Sequence, residues 1–257
     1  MDPHRAYPVG AWAGWGAGMA VMLAAGLGYC LHVRSLEAAL VHNWPDELTR
    51  DPAIIHFAMS MARPLYAEHC SSCHGRDLRG NHNVGAPDLT DSVWLYGDGD
   101  IGDLEASIRY GIRSGHPKAH NVTDMPAEGR SHQLSAAEIH AVIEYVLALS
   151  REPHDAAAAE RGHKLFYDKG NCYDCHANDA KGNTDYGAPS LLGADSLYGR
   201  DRRMLYESVY SGRHGMCPAW AGKLAPVQIR ALAVFLYIES HADSSDAPRR
   251  LVPEKAP

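Results

Sequence analysis

The sequence predicts an all-α chain, with one N-terminal transmembrane helix followed by two similar helical domains. Three observations carry this. No segment alternates apolar and polar residues as a strand would, whereas apolar residues recur at i, i+3, i+4 and i+7 in several places. Residues 6–33 contain no Asp, Glu, Lys or Arg. Landmarks of the first half return in the second at one fixed spacing, the mark of an internal duplication.

The first element is the apolar stretch at 9–33. As a helix it spans about 37 Å at ~1.5 Å per residue, enough to cross a bilayer with some tilt. Pro8 suits a first turn, and Trp12, Trp15 and Tyr29 fall toward its two ends, where interfacial aromatics belong. Gly10, Gly14 and Gly18 share one helix face and permit close packing against another membrane helix. The run is too long for an ordinary signal h-region, and no small-residue cleavage site follows it. Residues 1–34 are therefore read as a retained anchor, and Cys30 within it as an apolar side chain.

Residues 35–51 read as a polar, Pro-containing connector. The first domain covers 52–151 and the second 155–241, with a polar tail at 242–257. In the first domain a helical run precedes residue 70, with Pro64 expected to break or kink it. In the second, the Ala-rich stretch 155–168 plays the same part. Each domain closes with an amphipathic helix. Ile139, Val142, Ile143, Val146 and Leu147 mark one; Ile229, Leu232, Ala233 and Leu236 mark the other.

The chemistry lies in a pentapeptide that occurs twice, C-S-S-C-H at 70–74 and C-Y-D-C-H at 172–176. C-x-x-C-H is the attachment pattern of a c-type haem. Two cysteines two residues apart reach the two vinyl groups as thioethers, and the next histidine turns beneath the iron. The competing readings are a chance match or a redox or zinc pair, and two copies in matching contexts argue against both. Cys70, Cys73 and His74 are thus assigned to one haem, and Cys172, Cys175 and His176 to a second. The repeat extends further. G-A-P at 85–87 and L-Y-G at 95–97 recur 102 residues on, at 187–189 and 197–199. Pro126-Ala127 matches Pro218-Ala219 at a spacing of 92, so the first copy carries about ten extra residues near 114–122. The order of helix, haem motif, Gly/Pro-rich loop, short helix, ligand loop and helix is similar to class I cytochromes c.

A second axial ligand is expected at each iron, and His/Met ligation raises the potential. Met125, presented ahead of Pro126, is assigned to the iron of His74. The second loop differs. In register with the prolines, Cys217 stands where the first copy has Met125, and Met216 sits one residue earlier. Two readings stay open for the iron of His176. A one-residue shift would bring in Met216, placed first here because a low-potential thiolate haem fits a forward relay poorly. Otherwise Cys217 binds, or leaves the iron open. Met204 ranks third. Pro87 and Pro189 each lie thirteen residues after their haem histidine, where a carbonyl could accept the Nδ1 proton and fix the ring. Trp94, Trp220, Tyr96 and Tyr198 are expected to pack the core, and His116, His120 and His214 to lie at the surface.

The formal charge of −7 and the lack of a basic patch speak against nucleic acid. No P-loop, Ser-His-Asp set or nucleotide fingerprint is present. With four of six cysteines in the haem motifs, a disulfide framework is not expected.

W-L-Y-G at 94–97, G-I-R-S-G-H at 111–116, M-P-A-E-G-R at 125–130 and Y-V-L-A-L-S at 145–150 carry a likeness in the first domain. D-A-K-G-N at 179–183, G-A-P at 187–189 and P-A-W at 218–220 carry it in the second. Over roughly 50–240 the chain resembles the dihaem subunit III (the CcoP or FixP kind) of cbb3-type cytochrome c oxidase. The resemblance implies two covalent haem c groups and a place in the bacterial cytoplasmic membrane, with both cytochrome domains in the periplasm. It implies electrons arriving from a cytochrome c or a bc1 complex and leaving through a monohaem subunit to the haem-copper core. It implies an electron-transfer subunit that is not catalytic alone, and a methionine where this chain has Cys217. The alternatives are a tethered shuttle for another periplasmic oxidoreductase and a dihaem peroxidase.

Overall fold

A computed structural model describes residues 10–120, 123–192 and 196–242. Val9, residues 121–122 and the tail from 243 lie outside the described residues, as do the side chains of Trp12 and Trp15. The described residues form α1 (Gly10–His42), α2 (Pro45–Leu48), α3 (Pro52–His69), α4 (Ser71–His74), α5 (Ile101–Tyr110), α6 (Ala136–Leu149), α7 (Ala156–Tyr167), α8 (Tyr173–His176), α9 (Arg202–Ser211) and α10 (Pro226–Ser240). Among them β pairing is confined to isolated bridges. The all-α expectation therefore holds.

The helix starts follow local chemistry. Asp51, Asp100, Asp155 and Asp201 each accept a hydrogen bond from a backbone N–H in the first turn of α3, α5, α7 and α9. Ser135 and Glu138 form a reciprocal capping box at α6. The helix of α3 runs through Pro64 without ending there. The buried Ala58, Ala62 and Tyr66 pack into the core on both sides of the proline.

Helix α1 is longer than the apolar stretch predicts. The segment Gly18–His42 is long and apolar enough to cross a membrane. Its residues from 18 to 32 are all exposed, Met19, Met22, Leu23 and Leu27 among them, as a face awaiting lipid would be. The last turns are different. Leu36 and Ala39 are partly buried, Leu40 is fully buried, and all three join the main apolar cluster with Leu48 of α2. The expected connector at 35–51 is thus largely helical, because its few apolar residues find partners. Arg230 of α10 fixes the junction. Its guanidinium donates to the carbonyls of Leu40 (3.3 Å) and Asn43 (3.0 Å) and to the Glu105 carboxylate (2.5 Å). These bonds satisfy carbonyls at the open end of α1.

The packing crosses between the sequence halves. Helix α10, from the second half, packs on α3 and α5 of the first. Leu232, Val234, Phe235 and Ile238 share one cluster with Ile54, Ala58, Tyr66, Ile101 and Leu104, and the Tyr66 and Phe235 rings lie 5.5 Å apart. Helix α6, from the first half, packs instead on α7 and α9 of the second. Ile139, Val142, Ile143 and Leu147 meet Leu165, Leu205, Tyr206 and Val209. Gly162 of α7 lets the backbone of Ala141 approach too closely for any side chain. The packing therefore crosses the bounds of the segments 52–151 and 155–241. One unit holds α3, α4, α5 and α10; the other holds α6, α7, α8 and α9. A physical cause is at hand: only the six residues 150–155 join α6 to α7, and a link that short folds two helices back as antiparallel neighbours.

Candidate haem sites

Each C-x-x-C-H motif forms a single tight turn. The amide of His74 donates to the carbonyl of Cys70 at 3.0 Å, and that of His176 to Cys172 at 2.9 Å. The i, i+3 and i+4 spacing thereby brings both cysteines and the histidine of each motif to one face of the turn. The chain then doubles back in the same way in each copy. Gly80 donates to the carbonyl of His74 and Gly182 to that of His176, and the bridges Asn81–Ala86 and Asn183–Ala188 close matching loops.

Those loops bring up the two prolines. The Nδ1 atom of His74 lies 3.1 Å from the carbonyl oxygen of Pro87, and that of His176 2.9 Å from Pro189. A carbonyl can only accept, so the proton sits on Nδ1 and the Nε2 lone pair is left for a metal. Burial lowers the pKa of both rings, while the bond to the proline carbonyl pulls the other way. Neutral imidazole, the form that binds iron, is the favoured one. Burial also pushes the thiols of Cys70 and Cys172 up to about 12. The motif turns, the ring orientation and the neutral donors all fit a covalently held haem c at each site.

The ligand loops do not sit where the linear domains would put them. Met125 pairs with Arg213 through two backbone hydrogen bonds of 3.1 Å, just beyond α9. The loop then runs along α9, with Glu128 donating to the carbonyl of Val209 and Arg130 to that of Tyr210. Glu128 is close enough to Cys172 for its charge to raise that thiol's pKa further. Met125 thus stands in the unit of His176, not in that of His74. Cys217 stands in the other. It pairs with Ile112 through bonds of 2.9 and 3.0 Å, just beyond α5, and Trp220 and Ala221 continue onto the carbonyls of Ile108 and Arg109. Burial pushes the Cys217 thiol up to about 11 and the charge of Cys73 adds to this, while the charges of Cys217 and Cys73 add to the burial that raises Cys70. The indole of Trp220 lies 5.0 Å from the His69 ring.

Cys217 and Met125 occupy equivalent places. Gly111 and Gly212 end α5 and α9 with positive φ (77° and 70°). A Cβ on Gly111 would lie 2.5 Å from the carbonyl oxygen of Cys217, and one on Gly212 would lie 2.5 Å from that of Met125. These two glycines, which the sequence reading passed over, are the cradles of the ligand loops. The signal was present in the paired G-I-R-S-G and G-R-H-G segments after each short helix. Met216, by contrast, is 64% exposed, and the sulfur of Met204 rests against Gly199.

The two loops are tied side by side. Arg113 donates to the carbonyls of Gly215 (2.7 Å) and Thr123 (3.1 Å) and pairs with Asp124 at 2.8 Å; Asp124 also meets His214 at 2.8 Å. Tyr198 lies against Gly85 and Tyr96 against Gly187, so the loops after the haem motifs interlock reciprocally. The His120 ring stacks on Tyr96 at 4.4 Å and that of His116 on Tyr110 at 4.9 Å, so neither is a plain surface residue. His214 is exposed. Trp94 packs against the main core, as expected. Outside these sites no cluster of His, Cys, Asp and Glu with metal-binding geometry occurs among the described residues.

Two covalent haem sites in one helical chain, each with an oriented histidine, define a dihaem c-type cytochrome. Residues 62–150 match the cytochrome c family model, and residues 157–236 match that of cytochrome c oxidase, cbb3-type, subunit III. The FixP subunit of a cbb3-type oxidase from Bradyrhizobium sp. (strain ORS 278) is 38% identical over 78% of this chain and 67% of its own length. The CcoP subunit from Cereibacter sphaeroides is 35% identical over 79% and 68%. The CcoP subunit from Azospirillum brasilense is 36% identical over 75% and 65%. The chain belongs to the CcoP/FixP family, subunit III of cbb3-type cytochrome c oxidases, and spans about two thirds of the length of these relatives. With the apolar helix α1, it is a membrane-anchored member.

Proposed function

We propose that this chain relays electrons, one at a time, from a cytochrome c or bc1-type donor to the haem-copper core of a cbb3-type oxidase. It would do so beside the core and monohaem subunits in the bacterial cytoplasmic membrane. A bound haem would supply one-electron chemistry at its iron. The chain's residues supply attachment, ligation and spacing. Cys70, Cys73, Cys172 and Cys175 fix the two groups. His74 and His176 donate from Nε2 while the carbonyls of Pro87 and Pro189 hold each Nδ1 proton. Met125 would hold the iron at the site of His176, and the loop carrying Met216 and Cys217 would hold that at the site of His74. This exchange of ligand loops replaces the pairing expected from linear order, and it is supported by the backbone pairing of Met125 with Arg213 and of Cys217 with Ile112. Because c-type haem is attached outside the cytoplasmic membrane, the residues after α1 face the periplasm.

The observation that carries this reading is the pairing of two matched haem sites, interlocked through Arg113 and Asp124, on a single apolar helix. Such an arrangement keeps the two haem sites tied side by side, as a relay requires. The test is electron transfer in membranes. A strain bearing Cys172→Ser and Cys175→Ser should assemble the oxidase yet lose oxidation of reduced cytochrome c. Full cytochrome c oxidation by that strain refutes the relay. So does appreciable consumption of oxygen or peroxide by the purified chain alone.

A further inference from the structure

We infer that Cys217, as a thiolate, is the sixth ligand at the haem site of Cys70, Cys73 and His74, and that the two haems of this chain are consequently unlike. The inference rests on the dihaem reading above. Three observations converge on Cys217. It occupies the place that Met125 occupies in the other unit, with the same reciprocal backbone pairing and the same glycine cradle at 2.5 Å. Its loop is held on α5 in the unit of Cys70 and His74, with Trp220 and Ala221 donating to the carbonyls of Ile108 and Arg109. Its neighbour Met216 is 64% exposed. Adjacent residues of an extended segment point to opposite sides, so a loop that turns Cys217 inward turns Met216 to solvent.

Ligation is balanced simply. One S–Fe bond forms, the Sγ proton leaves to water, and the iron keeps its oxidation state. A thiolate donates more electron density to iron than a thioether does, so it favours the ferric state. The site of His74 then has the lower potential of the two, and the site of His176 and Met125 the higher. Electrons entering the chain rest on the second haem motif first, although it is the later of the two in sequence.

The test uses the full-length, dihaem protein in detergent, oxidised, with haem content counted before spectroscopy. Low-temperature EPR should show two low-spin ferric centres, one with the narrow g spread of a thiolate-bound haem. The far-red sulfur-to-iron charge-transfer band should correspond to a single Met-ligated haem. Cys217→Ser should abolish the narrow signal, and Met216→Leu should leave it in place. Met125→Leu should remove the far-red band while keeping the narrow signal. Cys217→Met should abolish the narrow signal, double the far-red band and raise the lower of two potentiometric waves toward the upper. This gain of signal keeps the proposal open to test even if the serine variant folds badly. A wild-type protein with two haems and no narrow signal overturns the ligand alone, as does a signal lost in Met216→Leu and kept in Cys217→Ser. A chain without haem at Cys70 and Cys73 overturns the dihaem reading as well.

Discussion

Replacing Ile139 with Ala separates the packing of the fold from the order of the sequence. Ile139 is fully buried on α6 and belongs by sequence to the half that contains His74. Its neighbours in the core, Leu165, Leu205, Tyr206 and Val209, all belong to the half that contains His176. Truncating a fully buried Ile to Ala costs about 2–5 kcal/mol, through lost transfer free energy and the cavity left behind. Total stability is about 5–15 kcal/mol, so the loss is large but survivable. A cost of about 3 kcal/mol corresponds to roughly a hundredfold faster amide exchange wherever exchange proceeds through opening of that unit. Hydrogen exchange followed by mass spectrometry on the dihaem protein resolves the helices separately. The expected result is loss of protection in α6, α7 and α9, with α3, α5 and α10 little changed. Loss of protection in α3 and α5 with α7 intact would refute the exchanged packing and restore the linear one.

Three further predictions follow from contacts already described. Arg230→Ala strips donors from the carbonyls of Leu40 and Asn43 and leaves Glu105 with Arg109 alone; a loss of about 1–3 kcal/mol is expected, seen as faster proteolysis between residues 43 and 51. Gly212→Ala places a Cβ against the carbonyl of Met125 at a positive φ of 70°, and should weaken the methionine charge-transfer band without detaching the haem, which a spectrum of the ferric variant checks. Hydrogen bonds from Lys169 and Ser135 hold the Glu138 carboxyl down to about 2, from its ordinary 4.5. A depressed carboxylate stabilises the fold fully above the unfolded value and loses that contribution as pH falls through the folded one. Glu138→Gln should therefore flatten the acid limb of the stability curve between pH 4.5 and about 2, read by denaturant titration at a series of pH values.

The sequence makes much of this architecture legible because its signals are local. The C-x-x-C-H spacing specifies the attachment turn, and the thirteen-residue step to Pro87 and Pro189 leads to the two Nδ1 hydrogen bonds seen at 3.1 and 2.9 Å. The register of the repeat equates Met125 with Cys217, and the matching cradles of Gly212 and Gly111 agree. The partner of each helix was not legible. An apolar stripe such as Ile139, Val142, Ile143 and Val146 states which face is buried but not against what, and a duplicated sequence offers two chemically similar faces. The six-residue link between α6 and α7 was the usable signal, since it favours an antiparallel pair over a return to α3. The length of α1 was hidden for a related reason. Arg34 and Glu37 end the charge-free run, but Leu36 and Leu40 lie on the face that meets α10 and carry the helix onward.

The crossing of α6 and α10 also fixes an order of completion. Everything that packs with α6 has been synthesised once α9 ends at Ser211. The unit around Cys70, Cys73 and His74 still lacks α10 at that point, since its core needs Leu232, Val234 and Phe235. The haem motif that emerges first on the growing chain is thus enclosed last. A chain cut short before Pro226 would keep a finished second unit and an open first one, still attached to its membrane helix. Release of the last helix is therefore the event that seals the first haem site and, through Arg230, locks α1 to the body of the protein.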